Sequence, residues 1–192
     1  MASDTETANL ALQKLGAARI TSLTEDSRNA RSVNSCYASV RDQELRSNPW
    51  NFARRRTTIS ADINAPVYDF CYAFTMPPDC LRILKPNDPD LDWQFEGEKI
   101  LTNQPAGNTT APILNLTYIS RITDMNEWDS LAVDTLATRI AIQCCIEIKD
   151  SNSNLQGLRD MYKENIRTAR HANAMEQIPA DAPIDAWELA RR

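Results

Sequence analysis

The hydrophobic period changes twice along the 192 residues of this chain, and the changes divide it into helical, extended and again helical stretches. Ala8, Leu12 and Leu15, with Ala11 beside them, recur at helical spacing. Asp4 or Thr5 is placed to cap that helix and Gly16 to stop it, so it is expected over residues 4–15. A second helix is expected over 27–47. Asp26 and Ser27 precede it, and Ala30, Val33, Tyr37, Val40 and Glu44/Leu45 mark its stripe. Pro49 pushes Asn48 out of helical geometry and ends it.

Alternation then replaces helical spacing, and a β lobe is expected over about 54–123. Thr57, Ile59, Ala61 and Ile63 alternate with mostly polar neighbours, and so do Tyr68, Phe70, Tyr72 and Phe74. Trp93 and Phe95, then Glu96 and Gly97, then Ile100 and Leu101 predict a hairpin, and Ile113 to Ile122 another strand. Eight of the ten prolines lie from Pro49 to Pro112, which suits the connecting turns.

Helical spacing returns over 130–150, where Leu131, Leu136, Ile140, Cys144 and Ile148 follow the cap Asp129. It continues over 153–175 through Leu155, Leu158, Met161, Tyr162, Ile166 and Ala169. The polar break at Asp150 to Ser153 implies an antiparallel pair. From 176 to 192 the pattern fails, and Pro179, Pro183 and an isolated Trp187 describe an extended tail. The fold class expected is α+β: an antiparallel helix bundle with a small inserted antiparallel β lobe, together one domain over 1–175, and a C-terminal tail that orders on a partner.

Chemistry is sparsely signalled. There is no phosphate-cradling glycine motif, no GxSxG and no HExxH. The five cysteines form no CxxC pair and the one histidine, His171, sits in a polar helix end, so no metal, no cofactor and no catalytic residue is expected. Odd, unframed cysteines point to reduced thiols, with Cys144 and Cys145 in or near the core. The most apolar run, Ile140 to Ile148, is broken by Gln143 and Glu147, and the residues Ser3 to Glu6 lack a signal peptide's basic flank, so neither a membrane span nor a leader is expected.

Charge is unevenly spread. Seven Arg stand against one Asp and one Glu from Ser27 to Arg56, a local +5 in a chain of net −5, which leaves −10 for the rest. Within this zone Pro49, Trp50, Asn51, Phe52 and Ala53 lead into Arg54, Arg55 and Arg56. The two aromatics either plug the junction of helices and lobe or stack on a ligand. Strand alternation sends Arg55 to one face and Arg54 and Arg56 to the other, where a carboxylate or a partner can pair with them.

Three ordered stretches resemble a known family. The first is Asn9, Leu10, Ala11, Leu12, Leu15 and Gly16 with Ile20, Ser22 and Leu23. The second is Tyr37, Val40, Arg41, Asp42, Leu45 and Pro49 through Ala53. The third is Tyr72, Ala73 and Pro77 through Arg82. Together they make roughly the first 85 residues similar to the head-to-tail adaptors of short-tailed bacteriophages, the tail tubular protein A or gatekeeper type.

The resemblance implies a structural virion protein of the neck, made in the host cytoplasm, and no enzyme. It implies a homo-oligomeric ring, a dodecamer, seated between the portal protein and the tail nozzle protein. Genomic double-stranded DNA would be retained above that ring and ejected through it. A ring needs two different surfaces per subunit, and segregated charge suits that. Arg54, Arg55 and Arg56 are the expected interface residues of the domain, and Trp187, Arg191 and Arg192 those of the tail, with Trp187 either an anchor on the portal or folded back on its own domain. The competing expectation is a nucleic-acid-binding or regulatory protein that uses the arginine-rich 41–56 segment.

Overall fold

A computed structural model describes residues 3–86, 91–103, 112–149 and 154–176 of the chain. Four helices account for the helical periods: α1 (Asp4–Leu15), α2 (Arg28–Ser47), α3 (Ser130–Lys149) and α4 (Leu155–Met175). The cap of α1 is Ser3, one residue earlier than Asp4. Its hydroxyl accepts from the Glu6 N–H while the Glu6 carboxylate accepts from the Ser3 N–H, so two otherwise orphan donors are satisfied together. Gly16 closes the helix at φ +62, a left-handed conformation that costs glycine nothing. Ser27 caps α2 through Ala30, and Asp129 caps α3 by accepting from Leu131 and Ala132.

α3 is the hub of the bundle and packs on α1, α2 and α4. That surrounds it with protein, which is why Ala132, Leu136, Ala137, Ile140, Ala141, Cys144 and Cys145 are all buried. Leu131, expected on the buried face, is instead 37% exposed at the first turn, outside the reach of its neighbours.

Among the described residues the lobe forms two three-stranded antiparallel sheets. One joins β1 (Arg54–Ser60), β6 (Ile113–Ser120) and β3 (Cys80–Pro86) in the order β1-β6-β3. The other joins β2 (Tyr72–Thr75), β5 (Lys99–Thr102) and β4 (Trp93–Glu96) in the order β2-β5-β4. Two expected alternations are cut short. β1 ends at Ser60 and leaves Ile63 in solvent; the aromatic row is interrupted at Asp69, whose φ of +67 is incompatible with a strand, so only Tyr72 and Phe74 pair. Leu81, Ile83 and Leu84 lie in β3.

Each half has its own apolar centre. The helical core reaches into the lobe through Trp50, Ala53 and Ile119, while Phe74, Met76, Leu91, Ile100, Leu114, Leu116 and Tyr118 form the lobe core. Because side chains alternate across a strand, β6 serves both: Leu114, Leu116 and Tyr118 face the lobe core and Ile119 faces the helices. The expected tail, 176–192, lies outside the described residues apart from Glu176.

Candidate interaction surfaces

The junction between helices and lobe is a plug of aromatic rings. Trp50 is buried, and its indole N–H donates to the Glu44 carbonyl at 3.3 Å. Phe52 lies between Trp50 and Trp128, with ring centroids 5.8 and 5.1 Å away. Between the two aromatics, Asn51 turns outward to α4. Its backbone N–H donates to Asn173 Oδ1 and its side chain to the Asn173 carbonyl, both at 2.8 Å. These residues therefore hold the two halves together.

Beneath the plug lies a polar network centred on Glu44, whose side chain is wholly buried. One carboxylate oxygen accepts from Arg139 at 2.7 Å and Tyr162 at 3.0 Å; the other accepts from Asn48 at 2.8 Å. Asn48 in turn accepts from Arg170 at 2.7 Å. A buried carboxylate is costly unless paired and fully hydrogen-bonded, and here α2, α3 and α4 each supply a partner. Burial, with the Glu44 charge beside it, pushes the Tyr162 hydroxyl up to about 12. The sequence signal for this network was a lone acid inside the apolar stripe of α2.

The other residues that carry the family resemblance are also architectural. Asn9 spans α1 and the following loop by exchanging hydrogen bonds with the Ile20 backbone. Tyr37 donates to Asp4 at 3.0 Å, and burial chiefly, then the Asp4 charge, raises its hydroxyl above the ordinary tyrosine range. Asp42 pairs with Arg41 and, at 2.8 Å, with Arg121 beyond β6. Asp79 accepts from the Tyr118 hydroxyl, and the Pro77–Cys80 turn is closed by the Cys80 N–H on the Pro77 carbonyl.

The arginine triplet splits three ways. Arg54 is half-buried, and its Nε has no hydrogen-bond partner among the described residues. Arg55 pairs with Glu127 at 2.7 Å and donates to the Phe52 carbonyl. Arg56 is exposed beside Thr58 and Thr117 on a shallow polar face. Three arginines of the surrounding basic zone meet a carboxylate at short range, Arg31 on Asp26, Arg41 on Asp42 and Arg55 on Glu127. Asp26 and Glu127 lie outside the 27–56 count and so take two charges off its local +5 at contact distance, where a paired charge projects little field. Trp187, Arg191 and Arg192 lie outside the described residues.

The lobe presents the surface that sequence periodicity left unremarked. Ile63, Val67 and Tyr68 stand almost fully in solvent on the loop after β1, and Trp93 and Phe95 are exposed on β4. Trp93 and Phe95 line one wall of a cleft of about 740 Å³. Cys80 to Ile83 on β3 form the opposite wall, with Met76, Pro77 and Pro78 between. Both walls are edge strands of their sheets. Arg46 donates to the Leu81 carbonyl and Arg82 to the Arg46 carbonyl, and neither meets a carboxylate among the described residues. The signal for this site was the alternation of Trp93 and Phe95, which fixes them on one face but not whether that face is covered.

No other cluster competes with these surfaces among the described residues. No group of three metal-ligating side chains is present, and no helix is long and apolar enough to cross a membrane. His171 is exposed on α4. Cys36 and Cys144 meet between α2 and α3 with their sulfurs 3.4 Å apart; the shared hydrogen bond holds the Cys144 thiol down and the Cys36 thiol up. No protein-family model matches the chain, and no curated protein matches it either.

Proposed function

We propose that this chain is an assembly adaptor of the short-tailed phage neck, a subunit of a ring, a dodecamer by family resemblance, between the portal and the tail nozzle through which the genome is held and then released. The observation that carries the reading is the contrast between its two kinds of aromatic residue. Trp50, Phe52 and Trp128 are consumed by the junction, whereas Tyr68, Trp93 and Phe95 stand on the lobe with Ile63 and Val67 and serve no described core. Val67 and Tyr68 lie beside Gln94 and Glu96, and Trp93 and Phe95 on the other face of β4 in the cleft; exposed apolar surface of this kind is what a protein–protein contact uses.

Other features agree with that role. A closed ring needs a rigid subunit with two unlike faces, and the Asn51–Asn173 and Arg55–Glu127 contacts fix the lobe against the bundle. The tail carries Trp187 with Arg191 and Arg192, an aromatic anchor beside cations, which suits docking on the portal. The test is removal of residues 176–192. The adaptor reading expects loss of portal binding with the soluble fold retained; a truncated chain that still binds portal particles refutes tail docking.

A further inference from the structure

We propose that, in the free chain, the C-terminal segment 177–192 docks in the cleft of its own lobe, between the edge strands β3 and β4. The inference concerns the isolated protein; in the portal reading the same tail leaves the cleft, which frees Trp93, Phe95 and Trp187 for partners.

The cleft and the segment match in chemistry. Trp93, Phe95 and Met76 give the cleft its apolar surface, and Arg46 and Arg82 add cations whose only described partners are backbone carbonyls. The segment carries Ile184, Trp187 and Leu189 with Asp181, Asp185 and Glu188 among them. Its charge is also ordered: three acids come first, then Arg191 and Arg192. The cleft has cations on its β3 side and Glu98 on the hairpin side, so one placement satisfies both signs.

Connectivity favours docking within one molecule. α4 ends at Met175, and Asn173 and Glu176 are tied to Asn51. Arg46 is five positions before Asn51 in the chain, on the last turn of α2, so tail and cleft start from the same junction. Sixteen residues reach roughly 50 Å when extended, ample for the lobe. A tether of that length holds the segment near the cleft at an effective concentration on the order of millimolar, which a second molecule at ordinary concentration does not match.

Hydrogen–deuterium exchange on the full chain tests this. The comparison is the native sequence against the full-length variant Asp185→Lys, Trp187→Ala, Glu188→Lys, whose substitutions all lie outside the described core. The proposal expects the amides of 93–96 and 80–83 to exchange about tenfold faster in the variant, with protection in the native chain independent of protein concentration. Arg82→Glu is expected to cause the same loss, and Asp185→Lys with Glu188→Lys, Trp187 retained, to restore protection in that background. Equal exchange of 93–96 in native and variant chains overturns the proposal. So does protection that grows with protein concentration, which would mean docking between copies, or protection that moves to another surface.

Discussion

The carboxylate of Glu44 and the guanidinium of Arg139 lie 2.7 Å apart where α2, α3 and α4 meet, the acid wholly buried and the arginine partly open to water. The pair fixes how three helices register on one another, because Tyr162 and Asn48 bond the same carboxylate. Replacing Glu44 by Ala takes from Arg139 its charge partner, leaving it Gln43 and Ser47, and removes the acceptor of two further donors. The expected cost is about 3 kcal/mol, read as a lowered urea midpoint with an unchanged slope. Arg139→Met, which keeps the stem but leaves the acid unpaired, is expected to cost a similar amount.

Burial of Tyr162, with the same carboxylate beside it, sets an alkaline limit. Tyr162 has its hydroxyl raised to about 12, against about 10 in the unfolded chain. A group raised on folding contributes its full stability below the unfolded value and loses it as pH climbs through the folded one. Stability is therefore expected to fall between about pH 10 and 12, with Tyr37 contributing in the same direction. Thermal melts across that range check it: Tyr162→Phe should flatten the decline while lowering the plateau at neutral pH through loss of one hydrogen bond.

Trp50 joins the halves of the molecule, so its loss should be felt by both. Trp50→Ala is expected to destabilise by roughly 3–5 kcal/mol, the range for a large buried aromatic. Asn173→Ala removes the acceptor of the Asn51 N–H and is expected to cost about 1–3 kcal/mol. Chemical denaturation followed by far-ultraviolet dichroism measures both.

The fold class was legible because periodicity is local. The spacing of Leu12, Val33, Ile140 and Leu158 reports helix wherever the chain runs, and alternation at Leu114, Leu116 and Tyr118 reports strand. What was not legible depended on partners far away in sequence. Nothing near Asp69 announces a left-handed residue that ends an aromatic row, and nothing near Leu131 shows that α3 starts beyond the reach of its neighbours. The arginines illustrate the same limit. Seven in thirty residues read as a basic face, yet Asp26, Asp42 and Glu127 cancel three of them at contact distance. The cleft went unseen because it needs the edges of two sheets, and pairing between strands is a non-local fact.

Local cancellation of charge yields a prediction against the nucleic-acid reading. A protein that binds duplex DNA through residues 41–56 loses affinity steeply with salt. With Arg41 and Arg55 held by Asp42 and Glu127, no mobility shift with duplex DNA is expected at either low or high salt. A salt-sensitive shift that Arg55→Ala and Arg56→Ala abolish would favour that reading instead.

The direct measurement is electron microscopy of purified portal particles mixed with the full-length chain. The adaptor account predicts a stoichiometric ring of this protein added beneath the portal, with subunits touching through unlike faces. Portal particles that remain bare while the chain stays monomeric would contradict it.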